Sequence, residues 1–431
     1  MPHALIVLDG LGDRPDPHLD GRTPLEAAAT PQLDRIARAG RTGQVDLLGR
    51  GIAPESDAGV LALLGIDPRL QSPGRGVLEA LGAGVPLAPG DVAWRLNFAT
   101  SDGEGVIRDA RVGRSLTSHE AVELARSLTE ADLLASEGVR AEVRATVGHR
   151  GVLWMHPEDG RRLSPEVSNS DPFYVKVGGT GQARRVERPR RLPVEPLDDS
   201  LEAARTAQLL DRFLAEAAAQ LSGQSTNARR AMSGKLVANS LLVRSAGALP
   251  ASPTPTFRER WGIGAAAVTE MPVERGIARW LGMADLFVGP MGPDRGAALE
   301  TRARITAEAM RAHEFVYVHL KGPDEPGHDG NVALKTAIIE EIDRAFFGPF
   351  LAALDLDEHR VAVTADHATP CALRAHSDDP VPLLISGAGV AAAAAATEEP
   401  APKFGETQCA RGALGTVRGN AVLPLLLRDH S

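Results

Sequence analysis

Three short apolar runs along the chain end in the same way. ALIVLD (4–9) stops at Asp9, FVYVHLKGPD (315–324) leads into Asp324, and RVAVTADH (360–367) ends in Asp366 and His367. Continuous apolar runs of this length, rich in branched residues, predict strands covered on both faces, as in a parallel sheet. VPLLISG (381–387) and NSLLVRSAG (239–247) have the same character and are assigned to the same sheet. Between them, TAQLLDRFLAEAAAQL (206–221) and ALKTAIIEEIDRAFFGPFLAAL (333–354) repeat apolar residues at three- and four-residue spacing, which predicts helices. Strands alternating with helices predict the α/β class, with a doubly wound, mostly parallel sheet. Ligands of such sheets bind beyond the carboxyl ends of the strands, so polar residues ending three separate runs have a physical reason to converge.

Residues 86–187 follow another rhythm. VAWRLNFATSDGEGVIRDARVGRSL has short alternating runs and turn residues, and GHRGVLWMHPEDGRRLSPEV has the pattern of a hairpin. These predict a smaller α+β domain (86–187) inserted into a discontinuous core of 1–85 and 188–431. The basic ARRVERPRRLPVEP (183–196) is expected to be a solvated linker, SPTPTF (252–257) a loop, and the alanine run 391–396 surface low complexity.

A net charge of −9 argues against nucleic acid as the main partner, and requires that an anionic ligand be met by locally gathered arginines or metal ions. Two cysteines, Cys371 and Cys409, without C-x-x-C spacing, make a disulfide framework unexpected and fit a reducing cytoplasm. No apolar run reaches the roughly 18 residues of a membrane span, and the apolar run in MPHALIVLDG is too short for a signal peptide. The expectation is a soluble, cytoplasmic protein with no membrane partner; its oligomeric state is not legible.

The candidate chemistry lies where the strands end. In HLKGPDEPGHDGN (319–331), Asp324 and His328 are separated by Glu-Pro-Gly, so a single turn brings both to one point. Asp366 and His367 are adjacent, and His376 follows after the turn-forming ATPCALRA. With Asp9 these make three carboxylates and three imidazoles, a mixture that suits manganese or zinc and magnesium less well. Six protein ligands exceed what one such ion takes and fit a two-metal site. Ser56, in IAPESDAGVLALLG (52–65), opens a helical pattern. A serine there serves as an ordinary N-cap. It serves equally as a nucleophile beside phosphate oxygens held by the helix N-terminus. The residues alone leave both readings open.

Taken together, Asp9-Gly10, Ser56-Asp57 with LALLGIDP, GRGVLEALGAGV (74–85), NFAT (97–100), HLKGPDEPGHDGN, VTADHATPCALRAHSDDPVPLLISG (363–387) and KFGETQCARGALGTVRGN (403–420) resemble the archaeal type of cofactor-independent phosphoglycerate mutase. That family is a branch of the alkaline phosphatase superfamily. The resemblance implies an alkaline-phosphatase-like core and two divalent ions. One would sit on Asp324, His328 and His376, the other on Asp9, Asp366 and His367, with Ser56 as both ligand and nucleophile. It places Lys321 near the transferred phosphate, and Arg111, Arg114, His149 and Arg150 on the substrate's carboxylate and phosphate. Asp109 or Asp171 would be the base for the glycerate hydroxyl. The implied activity is that of a glycolytic isomerase interconverting 3-phosphoglycerate and 2-phosphoglycerate through phosphoserine, the inserted domain closing over the intermediate. The chain departs from the family pattern at Glu55, Val60, Ala110 and Phe173, where the family has glycine, histidine, arginine and histidine. None of these is an implied metal ligand. They leave room for a phosphatase or phosphotransferase acting on another small phosphorylated or phosphonate acid.

Overall fold

The computed structural model describes residues 1–177, 180–183, 186–250, 254–390 and 403–428; the alanine run 391–396 and the start of the SPTPTF loop lie outside the described residues. The chain forms two compact units: Met1–Ser72 with Pro255–Ser431, and Pro73–Thr254.

The first unit is built on an eight-stranded sheet. Its order is Ala284–Phe287, Ala265–Thr269, Phe315–Leu320, His3–Leu8, Arg360–Thr364, Val381–Gly387, Arg41–Asp46 and Thr416–Arg418. Val381–Gly387 alone runs against the others, pairing antiparallel on both its sides. The three acid-terminated runs lie side by side at the centre, with Ile6 opposite Val318 on one flank and Val363 on the other. Every residue of Phe315–Leu320 and of Arg360–Thr364 is buried, which is why these strands show no apolar–polar alternation. Because the three run parallel and in register, their following loops leave from one edge of the sheet. The expected helix at 333–354 is present as Val332–Ile342, a π-helical turn Asp343–Phe347, and Gly348–Ala352.

In the second unit, Val92–Ser101 pairs antiparallel with Arg150–Pro157, with Ser240–Ala248 and, at its end, with Ile107–Asp109; Val139–Ala145 forms a hairpin with Arg150–Pro157. This corrects three expectations. NSLLVRSAG belongs to this antiparallel sheet and not to the parallel core, since a run buried on both faces looks alike in either. The boundaries expected at 85/86 and 187/188 fall inside the unit. Helix Leu201–Ser222 contributes Leu210, Phe213 and Leu214 to the same core as Leu96, Phe98, Leu241 and Val243. Helix Arg75–Gly82 lies against Val92–Ser101 so closely that a Cβ on Gly76 would stand 2.2 Å from the Ala93 carbonyl. The described part of the basic run is no free linker either, because Arg191 pairs with Asp211 of the long helix. Among the described residues no helix is long and apolar enough to cross a membrane.

Candidate active site

Ser56 is the first residue of helix Ser56–Leu63, and Glu55 is the N-cap residue, its side chain making no capping hydrogen bond. The N-cap reading of Ser56 is therefore set aside. Its Oγ lies 3.3 Å from His367 Nε2, at a helix end where the first N–H groups lack intrahelical partners. Two glycines let the backbones meet here. A Cβ on Gly59 would stand 1.9 Å from the Asp366 carbonyl oxygen, and one on Gly10, whose φ is +61°, would stand 2.7 Å from Asp324 Cβ. The freed Gly10 N–H donates to Asp366 Oδ1 at 3.2 Å.

Asp324 opens the short helix Asp324–Asp329, and its four-residue spacing puts His328 Nε2 3.4 Å from Asp324 Oδ1. His376 Nε2 is 3.5 Å from the same oxygen. His367 Nε2 is 3.4 Å from Asp9 Oδ1 and 3.5 Å from Asp366 Oδ2. The other ring nitrogen of each histidine has its own acceptor. His376 Nδ1 donates to the Pro54 carbonyl at 2.8 Å, and His328 Nδ1 to that of Arg374 at 3.2 Å. His367 Nδ1 donates to Thr369 Oγ1 at 3.0 Å, and that hydroxyl donates in turn to Asp324 Oδ1 at 2.7 Å. Three imidazoles are thus anchored through Nδ1 with Nε2 turned toward carboxylates, the orientation that metal-ligating histidines take.

The ligand atoms of Asp324, His367 and His376 lie within 4.8 Å of one another, as do those of Asp9, Asp366 and His367. His367 thus stands at the junction of the two groups, its ring stacked 3.7 Å from that of His376, while His328 stands at the rim beside Asp324. Burial alone would raise the Asp9 and Asp324 carboxyls. Lys321 and His367 together outweigh it at Asp9, and His376, His367 and His328 together outweigh it at Asp324, so both are held well below the usual carboxylate range. Burial likewise pushes the His367 imidazole down, yet Asp366, Asp9 and Asp324 lift it to about 9. The pocket draws positive charge, as a proton or as a metal. Asp9 Oδ1 is buried without a hydrogen bond. This donor set of imidazole nitrogen and carboxylate oxygen fits divalent cations.

The second unit carries a cluster of the opposite sign. Arg75 and Arg95 lie 3.4 and 3.6 Å from Glu79, and Arg244 lies 2.6 Å from the buried Asp171. Burial and the neighbouring Arg75, Arg244 and Arg150 bring Arg95 down to about 9. Burial, then Arg150, Arg111, Arg95 and Arg114, bring His149 down to about 4, so it is a neutral hydrogen-bonding group. Asp109 accepts the Arg111 backbone N–H at 2.7 Å. Arg75, Arg95, Arg111, Arg114, Arg150 and Arg244 outnumber the carboxylates of Glu79, Asp109 and Asp171, an excess of positive charge suited to an anion. Of the four departures, Ala110 and Phe173 pack on one apolar cluster with Ala99, Ile107 and Leu242, and Val60 lies in the buried core.

Sequence reasoning passed over Thr369, Arg75, Arg95, Arg244 and His319. For Arg95 and His319 a signal existed, since each is an ionisable residue inside an otherwise apolar strand run, VAWRLNF and FVYVHL. Thr369 carries none; only the fold puts its hydroxyl between His367 and Asp324.

The profile of the 2,3-bisphosphoglycerate-independent phosphoglycerate mutase family matches residues 37–227. A relative of that name from Aeropyrum pernix is 43% identical over 423 residues, 97% of either chain. A solved structure of a protein from Pyrococcus horikoshii superposes with a TM-score of 0.77 at 32% identity, covering 99% of this chain and 96% of that one. The cofactor-independent phosphoglycerate mutase of Thermoplasma acidophilum gives a TM-score of 0.63, also at 32% identity, over 100% of this chain and 99% of that one. With identity of this order running the length of the chain, the protein belongs to the 2,3-bisphosphoglycerate-independent phosphoglycerate mutase family.

Proposed function

We propose that the chain interconverts 3-phosphoglycerate and 2-phosphoglycerate through a phosphoserine formed on Ser56. The observation that carries this reading is the Ser56 hydroxyl, at a helix N-terminus and 3.3 Å from the imidazole shared by both ligand clusters. One ion would be held by Asp324, His328 and His376, the other by Asp9, Asp366, His367 and Ser56. Manganese or zinc suits these donors better than magnesium, and such ions supply Lewis acidity and charge neutralisation for phosphoryl transfer.

The chain's own groups do the rest. Ser56 Oγ attacks phosphorus in line, the bond from phosphorus to the glycerate oxygen breaks, and the serine proton ends on that departing oxygen. Helix N–H groups hold phosphate oxygens, and the Lys321 ammonium, 3.1 Å from Asp9, shares the equatorial charge. The other glycerate hydroxyl, deprotonated by a carboxylate, then takes the phosphoryl group back. Asp109 is the better base, because Asp171 is committed to Arg244 at 2.6 Å. Arg111, Arg114 and Arg150, joined by Arg75, Arg95 and Arg244, suit the acid's carboxylate, and His149 offers a neutral donor. A coupled assay for 2-phosphoglycerate, run beside a phosphate-release assay, tests the reading. Isomer without free phosphate supports it, and stoichiometric phosphate makes the chain a hydrolase.

A further inference from the structure

Behind the Asp9–Asp366 pair, on the early part of helix Pro272–Trp280, stands Glu274, with its side chain 1% exposed. Its Oε1 is 2.9 Å from Lys321 Nζ and 3.5 Å from His319 Nδ1. Each of those groups reaches on to a different aspartate of one ligand cluster: Lys321 Nζ to Asp9 Oδ2 at 3.1 Å, and His319 Nε2 to Asp366 Oδ2 at 3.3 Å. A single buried carboxylate therefore supports both acidic members of the cluster, through an ammonium on one side and an imidazole on the other. Glu270, four residues earlier and outside the helix, meets Lys321 at its backbone. It accepts the Lys321 N–H at 2.8 Å and pairs with Arg302 at 3.3 Å.

A carboxylate is costly to bury, and neither oxygen of Glu274 makes a hydrogen bond, so it meets Lys321 and His319 by charge. A residue needed only to neutralise Lys321 would be redundant with Asp9. What Glu274 adds is direction. An ammonium paired with two fixed carboxylates, at 2.9 and 3.1 Å, is confined between them. The imidazole arm fixes the rotation of Asp366 in the same way as other groups that orient metal ligands.

We propose that Glu274 is a positioning residue for phosphoryl transfer, which holds the Lys321 ammonium and, through His319, the Asp366 carboxylate in register. This rests on the mutase reading for its kinetic consequence and on the ligand cluster alone for its metal consequence.

The test compares wild type, Glu274→Gln, Lys321→Met and the double variant, with Mn2+ affinity measured by titration calorimetry in the absence of substrate. Glu274→Gln keeps the shape and is expected to lower Mn2+ affinity about 10–100-fold. It should lower kcat about 100-fold with KM within about threefold. In the Lys321→Met background its effect on kcat should shrink to about threefold or less, the mark of coupled groups. His319→Gln severs only the imidazole arm, and is expected to weaken Mn2+ while keeping most of the kcat that Glu274→Gln loses. It also serves if Glu274→Gln fails to fold. Wild-type Mn2+ affinity and kcat in Glu274→Gln, or strict multiplication of the two kcat losses in the double variant, would overturn the proposal. A wild-type protein without mutase turnover removes the functional reading and leaves the Mn2+ comparison standing.

Discussion

Gly59→Ala is the most informative single-atom perturbation of this fold. Gly59 lies in the middle of helix Ser56–Leu63, where alanine is intrinsically favoured by about 1 kcal/mol. Its absence there has a steric reason, since the added Cβ would stand 1.9 Å from the Asp366 carbonyl oxygen. To reach an ordinary contact the helix must withdraw by about 1.5 Å, and Ser56, one turn away, withdraws with it from His367. A displacement of about 1 Å at a reacting group costs on the order of 100-fold in rate. Overpacking costs about 1–3 kcal/mol and the helix gain offsets part of it, so Tm should fall by no more than about 8 °C. The assay is kcat by the coupled mutase reaction, beside thermal melting. Gly296→Ala is the control, because a Cβ there meets nothing nearer than 3.6 Å. Its activity should be unchanged and its stability unchanged or raised. If Gly59→Ala keeps kcat within about threefold of wild type, the helix does not position the nucleophile and the reasoning fails.

Three further outcomes are expected. Ser56→Ala should abolish turnover and phosphoserine labelling while leaving Mn2+ content and melting near wild type; persistent turnover would exclude the covalent route. His376→Ala removes a donor present in only one of the two ligand clusters, so elemental analysis should find one tightly held ion lost and one kept. Loss of both would mean that the clusters bind as a unit. His149 is brought from its ordinary value down to about 4 by burial and by Arg150, so the unfolded chain binds its proton first as pH falls. The stability it contributes is complete above about 6.5 and is lost as pH falls toward 4. Screened by solvent, that is about 1–2 kcal/mol. Urea melts of His149→Asn should show a shallower loss across that window, and a slope equal to wild type would refute the assignment.

The central strands, the acids at their ends and the helix at 206–221 were legible because each is a local pattern: an apolar run, a breaker, a period. The residues of the two clusters were legible as candidates because their spacing forms motifs. The unit boundary was not. Helices Arg75–Gly82 and Leu201–Ser222 carry ordinary amphipathic sequences, and which sheet they cover depends on pairings formed by residues far away in the chain. Nor was the sheet of NSLLVRSAG, since burial on both faces erases the alternation that would have marked it as antiparallel.

By itself the sequence determined the chemical inventory: three aspartates, three histidines, a serine at a helix start, and strands able to carry them. Tertiary structure alone decided that His367 is the hinge of both ligand groups, that Thr369 links it to Asp324, and that Glu274 backs both aspartates. Those relations join residues brought together by parallel strand register and by glycine-permitted backbone contact. Neither leaves a trace in local residue order, because each is fixed by which strands become neighbours.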